Sequence, residues 1–178
     1  AKAKGYEVLL LDSPIVGHLI QKLETSNEKI KFARVDADHV DNLIKKDDTV
    51  ISKLSDEEKD KLKPIIEAAV PKETYTVQLE AMDSSASPFL ITVPEFMRRM
   101  KEMSATGGGM MGMGNMPDMY NLVVNTNHPL VGEILNTKTA KKQERLIKQS
   151  FVLAKLSQNL LHGEELTNFI KRSYELVK

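Results

Sequence analysis

The sequence predicts an α+β fold: a small αβα segment, then a mixed sheet-and-helix domain ending in helices suited to an intermolecular four-helix bundle. Three observations carry this expectation. Short runs of β-branched and aliphatic residues recur through the first two thirds of the chain. Between them lie segments whose apolar residues repeat at helical spacing behind good capping residues. The last forty residues are helix-forming almost throughout. At 178 residues the chain fits one domain, or a small domain with a piece of a neighbour, and is long enough to bury a real core.

Taken in order, 6-YEVLLL-11 reads as a strand that ends at Asp12, Ser13 and Pro14. Ser13 is a good N-cap and Pro14 suits the first helical position. In 14-PIVGHLIQKLE-24, Ile15, Leu19 and Leu23 recur every four residues and give that helix one buried face. A polar turn of Thr25, Ser26, Asn27 and Glu28 leads into a second strand, 30-IKFARVD-36. Strand, helix and strand in about thirty residues make a βαβ unit with a parallel sheet and a right-handed crossover. Residues 37–53 are acidic and weakly patterned, short helix or loop.

At 55-SDEE-58 a serine followed three residues later by glutamate is a capping box. Its helix runs through Leu62, Ile65, Ile66 and Ala69 to Pro71, with Pro64 expected to kink or split it. In 74-TYTVQLEA-81, Tyr75, Val77 and Leu79 alternate with polar residues, the pattern of a half-buried strand, and the turn 83-DSSAS-87 returns the chain into the strand 88-PFLIT-92. The stretch 94-PEFMRRMKEM-103 sets Phe96, Met97, Met100 and Met103 at helical spacing among charged residues, a short amphipathic helix with a soft apolar stripe. That stripe has two possible fates, core packing or a partly open surface able to fit many apolar partners. The Gly/Met segment that follows, through Met119, reads as a poorly ordered hinge.

Next come the strand 120-YNLVVN-125 and the helix 129-PLVGEILN-136, for which Asn127 is the expected cap. In 139-TAKKQERLIKQSFVLAKLSQNLLHG-163, Leu146, Leu153, Leu156 and Leu160 mark one stripe, which Ile147, Phe151, Ala154 and Leu161 widen, and Gly163 is the expected C-cap. The final helix, 164–178, opens with two acids at its positive dipole end and carries Leu166, Phe169, Ile170, Tyr174 and Val177. Each apolar face is broader than one partner helix needs. Either a second copy of the chain completes a symmetric bundle, or these faces pack on the chain's own sheet.

Composition narrows the function classes. With no cysteine there is neither a disulfide framework nor a thiolate metal site, which fits a reducing cytoplasm. Zero net charge argues against a dominant nucleic-acid footprint, and no apolar run is long enough to span a membrane. The charge is unevenly spread: nine acids against four bases from Asp36 to Asp60, and nine bases against four acids from Lys138 to Lys178. The opening AKAKGYEVLL has no initiating methionine and no signal-peptide pattern, and reads as an internal cut in a longer protein.

The segment 107-GGGMMG-112 satisfies G-x-G-x-x-G, but a helix precedes it and a strand follows, the reverse of a dinucleotide site. Clustered thioethers at Met110, Met111, Met113, Met116 and Met119 offer a second function class, a Cu(I)-binding protein. His18, His39, His128 and His162 sit singly, without metal-ligand spacing, as surface or helix-end residues. No serine elbow or carboxylate pair points to catalysis. A binding or assembly role is the expectation.

Three stretches carry a resemblance: GYEVLLLDSPIVGHLIQKLE at the start, 97-MRRMKEM-103 with the Met-rich stretch behind it, and 120-YNLVVNTNHPLV-131 with its asparagine-x-x-His-Pro turn. In this order and spacing the chain resembles the C-terminal part of the heat shock protein 90 chaperone family, of its bacterial type. The resemblance implies that residues 1–54 are the last small αβα portion of the family's middle domain and 55–178 its C-terminal dimerisation domain. It implies a homodimer through a four-helix bundle formed by Leu146, Leu153, Leu156, Leu160, Leu166, Phe169, Ile170, Tyr174 and Val177. It also implies client contact through Phe96, Met97, Met100 and Met103, with unfolded proteins as partners. The family's ATP and magnesium site lies in an N-terminal domain that no part of this chain resembles, so no cofactor is expected in this segment. The chain ends 173-SYELVK-178, unlike the acidic tail of cytosolic eukaryotic members.

Overall fold

The computed structural model describes residues 5–13, 15–37, 50–105 and 118–177. Among them are six helices and one three-stranded sheet: α1 (Val16–Ser26), α2 (Asp56–Ala69), β1 (Tyr75–Glu80), β2 (Phe89–Thr92), α3 (Glu95–Ala105), β3 (Tyr120–Asn125), α4 (Pro129–Asn136), α5 (Ala140–Ser157) and α6 (Gly163–Leu176). The class is α+β, as the sequence predicts. The chain divides into two compact units, 1–48 with 92–120 and 49–91 with 121–178.

In the first unit the βαβ expectation fails. Neither 6–11 nor 30–36 forms a strand, and Leu9 and Leu10 are 70% and 94% exposed. A β-branched run becomes a strand only where a neighbour takes up its N–H and C=O groups, and no ladder joins these two runs. Helix α1 begins at Val16, with Ile15 rather than Ser13 at the cap, although the Ser13 carbonyl accepts from Val16 N–H at 3.0 Å. The face marked by Ile15, Leu19 and Leu23 is exposed, not buried, and α1 holds no buried residue.

The second unit has the core. Helix α2 opens with the expected capping box, Ser55 accepting from Glu58 N–H and the Glu58 carboxylate from Ser55 N–H. It runs past Pro64 as one helix. Both Pro64 and Asp60, whose carbonyl loses its partner to the proline, lie on the exposed side, where water meets the cost. Leu62 and Ile66 face inward and are fully buried. The sheet order is β1-β3-β2. Thr126 N–H donates to the Glu80 carbonyl at 2.8 Å, so β3 leaves the sheet alongside the end of β1 and runs parallel to it. Asn125 N–H donates to the Pro88 carbonyl at 2.9 Å, so β3 is antiparallel to β2. The central place of β3 accounts for its uninterrupted apolar run, since Leu122, Val123 and Val124 are all buried.

Helix α5 lays Ile147, Ser150, Phe151 and Ala154 against this core. Phe151 meets Tyr75 of β1 edge to face, centroids 4.8 Å apart. The helix ends earlier than the sequence suggests. Asn159, at φ +55°, takes the left-handed position that was expected of Gly163. Leu160 N–H returns to the Lys155 carbonyl at 2.8 Å and Asn159 N–H to the Leu156 carbonyl at 3.1 Å, a Schellman termination. Asparagine tolerates this conformation better than other side chains. Gly163, at φ +56°, instead opens α6.

Candidate functional site

Two surfaces hold the residues singled out by the sequence, one in each unit. In the first unit α3 carries Phe96, Met97, Met100 and, one turn on, Met103. Phe96 is 70% exposed, while Met97 and Met100 are half-buried, so the stripe is neither core nor fully open. Polar side chains hold the helix in place. Arg99 Nη1 lies 2.9 Å from Glu24 Oε2 at the end of α1, Nε donates to Glu95 Oε1 at 2.8 Å, and Nη2 donates to the Phe32 carbonyl at 3.1 Å. Phe32 N–H closes the ring by donating to Glu24 Oε1 at 2.9 Å. One turn-step away, Arg98 Nη2 meets Asp36 Oδ2 at 2.8 Å, and Val93 N–H reaches the Asp36 carbonyl at 3.4 Å.

These contacts fix the ionisation of the cluster. The Arg99 hydrogen bond, then the Phe32 N–H, hold the Glu24 carboxyl down at about 2, against an opposing effect of burial. The hydrogen bonds that Arg99 donates to Glu24 and Glu95 raise its own pKa in turn. Sequence reasoning missed Glu24, Asp36, Arg98 and Arg99 as a group. A signal was available: Glu24 stands in the last turn of α1, where no basic residue offsets the negative helix end, and such a carboxylate needs a cation from elsewhere.

In the second unit α5 and α6 leave an apolar surface open. The single broad face read from the sequence divides in two. Ile147, Phe151, Ala154 and Leu161 are buried in the unit's own core, whereas Leu146 and Leu160 are half-buried and Leu153 is 55% exposed, with Leu156 also exposed. On α6, Leu166 and Phe169 are half-buried and Ile170, Tyr174 and Val177 exposed, and the helix has no buried residue at all. Leu176, 85% exposed, was missed on this face. Its place seven residues after Phe169 is the spacing that would have found it.

The turn 125-NTNH-128 is structural. Asn127, expected to cap α4, instead uses its side chain to accept from Lys53 N–H at 2.6 Å and to donate to the Ile51 and Met82 carbonyls, both at 3.0 Å. His128 is the cap, its Nδ1 accepting from Leu130 N–H at 3.0 Å. Asn125, fully buried, accepts from Met82 and Asn127 N–H and donates to the Asp83 carbonyl at 2.8 Å. A turn buried this deeply must satisfy its backbone groups with side chains, and the asparagines supply both donor and acceptor.

His162 stands at the cap of α6 without a side-chain capping bond, and His18 is exposed on α1. His39 lies outside the described residues, as do the hinge expected before Met119 and four of the five clustered methionines, Met110, Met111, Met113 and Met116; Met119 is exposed. Among the described residues no helix is long and apolar enough to cross a membrane.

No family model matches the chain. It is similar to a chaperone protein HtpG of Bacteroides fragilis, 32% identical over 244 aligned residues, covering 99% of this chain and 36% of the relative. A chaperone protein HtpG of Porphyromonas gingivalis is 39% identical over 159 residues, covering 88% of this chain and 23% of the relative. One of Bacteroides thetaiotaomicron is 31% identical over 244 residues, with 99% and 36% covered. The chain thus spans between about a quarter and about a third of the length of these curated relatives.

Proposed function

We propose that the chain is the dimerisation and client-contact segment of a chaperone of the HtpG type, in the heat shock protein 90 family. The observation that carries this reading is the open apolar face of α5 and α6. Helix α6 buries none of its residues within its own chain, although Phe169, Ile170, Tyr174 and Leu176 stand on it and Val177 caps it. Two copies that set α5 and α6 against their counterparts would cover these residues in a four-helix bundle, at about 25 cal/mol per Å² of apolar surface removed from water.

On this reading residues 1–54 are the end of the middle domain and 55–178 the C-terminal domain. Helix α3 offers Phe96, Met97, Met100 and Met103 to exposed apolar segments of unfolded or partly folded proteins, for which a flexible thioether surface is suited. ATP and magnesium are bound by a part of the longer protein that this chain does not span, and the segment is not itself an enzyme. It acts in the cytoplasm, without nucleic acid or membrane as partner.

Sedimentation equilibrium tests the assembly: a concentration-dependent dimer is expected, and a monomer at high micromolar concentration would overturn it. No observation favours the Cu(I) reading.

A further inference from the structure

A groove of about 570 Å³ beside α5 reaches across to Arg172 of α6. It is lined by Lys141, Lys142, Arg145, Lys148 and Arg172, with Glu144 as the one acid in the lining. That acid is already taken, since Lys148 Nζ lies 2.6 Å from its Oε1, and Lys142 is paired outside the groove with Glu133 at 3.0 Å. Among the described residues Lys141, Arg145 and Arg172 have no carboxylate partner, so one wall of the groove sets unpaired like charges on two helices side by side. Such an arrangement is unfavourable until an anion enters it.

The spacing says which kind of anion. Along α5, Lys141, Arg145 and Lys148 stand at i, i+4 and i+7 on one stripe, and the two without a carboxylate partner, Lys141 and Arg145, are about 6 Å apart along the axis. An extended chain presents alternate side chains on one face about 6.5 Å apart. We propose that this groove docks an acidic peptide segment in extended conformation, with carboxylates at alternate positions facing α5 and Arg172. Charge complementarity supports a peptide over the other polyanions. No aromatic residue lines the groove for a base to stack on, as single-stranded nucleic acid binding requires, and no apolar residue lines it to enter a lipid surface.

The test uses the full chain and a fluorescein-labelled heptapeptide, glycine-flanked, with acids at its second, fourth and sixth positions, read by fluorescence anisotropy at low salt. Binding is expected, together with its loss when the acids are replaced by their amides and at least a tenfold weakening in the double variant Arg145→Glu, Arg172→Glu. Both arginines are exposed, so the variant is expected to fold, which its circular dichroism checks; Lys141→Glu is a second, milder variant expected to weaken binding in the same direction. Reversal of two exposed lysines on α2, Lys61→Glu and Lys63→Glu, leaves binding intact. The proposal is overturned by equal binding in the double variant, by equal loss in the α2 control, or by tighter binding of an oligouridylate. It is also overturned by salt-sensitive self-association that the double variant abolishes, which would mean that Asp56, Glu57 and Glu58 of a second copy fill the groove.

Discussion

Arg99 and Glu24 hold the peptide unit of Phe32 between them, the guanidinium donating to its carbonyl at 3.1 Å and the carboxylate accepting its N–H at 2.9 Å, while their own charges meet at 2.9 Å. Three segments of the first unit are joined at that point: the end of α1, the extended stretch after it, and α3. The amphipathic helix is therefore located by its polar side. Its apolar side is half-buried at Met97 and Met100 and stays accessible at Phe96.

The pH dependence of this cluster follows from Glu24. Its pKa is depressed from 4.5 to about 2 by the Arg99 and Phe32 hydrogen bonds. A depressed carboxylate contributes stability that is fully present above pH 4.5 and is lost as pH falls from there through about 2. Carbon-detected NMR of the Glu24 carboxyl is expected to show a midpoint near 2. A midpoint near 4.5 would show that the ring is not closed in solution. Glu24→Gln should be less stable than the native chain at neutral pH, with the gap narrowing through the same acid window.

Under the proposed function, the division of the α5 surface separates assembly from stability. Leu153 is exposed in the single chain, so Leu153→Asp is expected to shift the dimer to monomer in sedimentation while leaving the monomer folded. Phe151 is buried against Tyr75, and Phe151→Ala should cost about 3–5 kcal/mol in urea denaturation of the second unit. If Leu153→Asp unfolded the chain, the face would be core after all.

Asn127 should be the more costly of two polar losses. Asn127→Ala strands the buried Met82 carbonyl and removes the partner of the more accessible Lys53 N–H and Ile51 carbonyl, at about 2–4 kcal/mol. Ser55→Ala removes a single cap on an exposed helix end, about 1 kcal/mol. Chemical denaturation of both variants gives the order directly, and a reversed order would remove the turn from its structural role.

The proposed function assigns client contact to α3. The triple variant Met97→Ser, Met100→Ser, Met103→Ser is expected to bind a reduced, unfolded substrate protein several-fold less tightly in pull-down or anisotropy, with the dimer unchanged. Undiminished binding would take the helix out of the account.

Most helices and all three strands of the second unit could be read from local pattern. The capping box at Ser55, the alternation of Tyr75 and Val77, and the apolar run of β3 each reflect a constraint acting within a few residues. The same signals misled at 6–11 and 30–36, because strand formation also needs a partner that local sequence does not supply. The apolar residues of the candidate surfaces were legible by spacing, whereas of Glu24, Asp36, Arg98 and Arg99 only Glu24 carried a local signal, and that one did not name its partner. Their pairing spans more than sixty residues, and nothing near Glu24 announces which cation will reach it.

By itself, then, the sequence determined which segments are helical, where apolar stripes run and which family they resemble, since these depend on periodicity and short motifs. Only the tertiary structure decided which side of α5 is spent on the chain's own core and which is left exposed. Leu153 and Phe151 are equally apolar and two residues apart. On a helix that separation turns a side chain by about 200°, enough to place one against Tyr75 and the other in water.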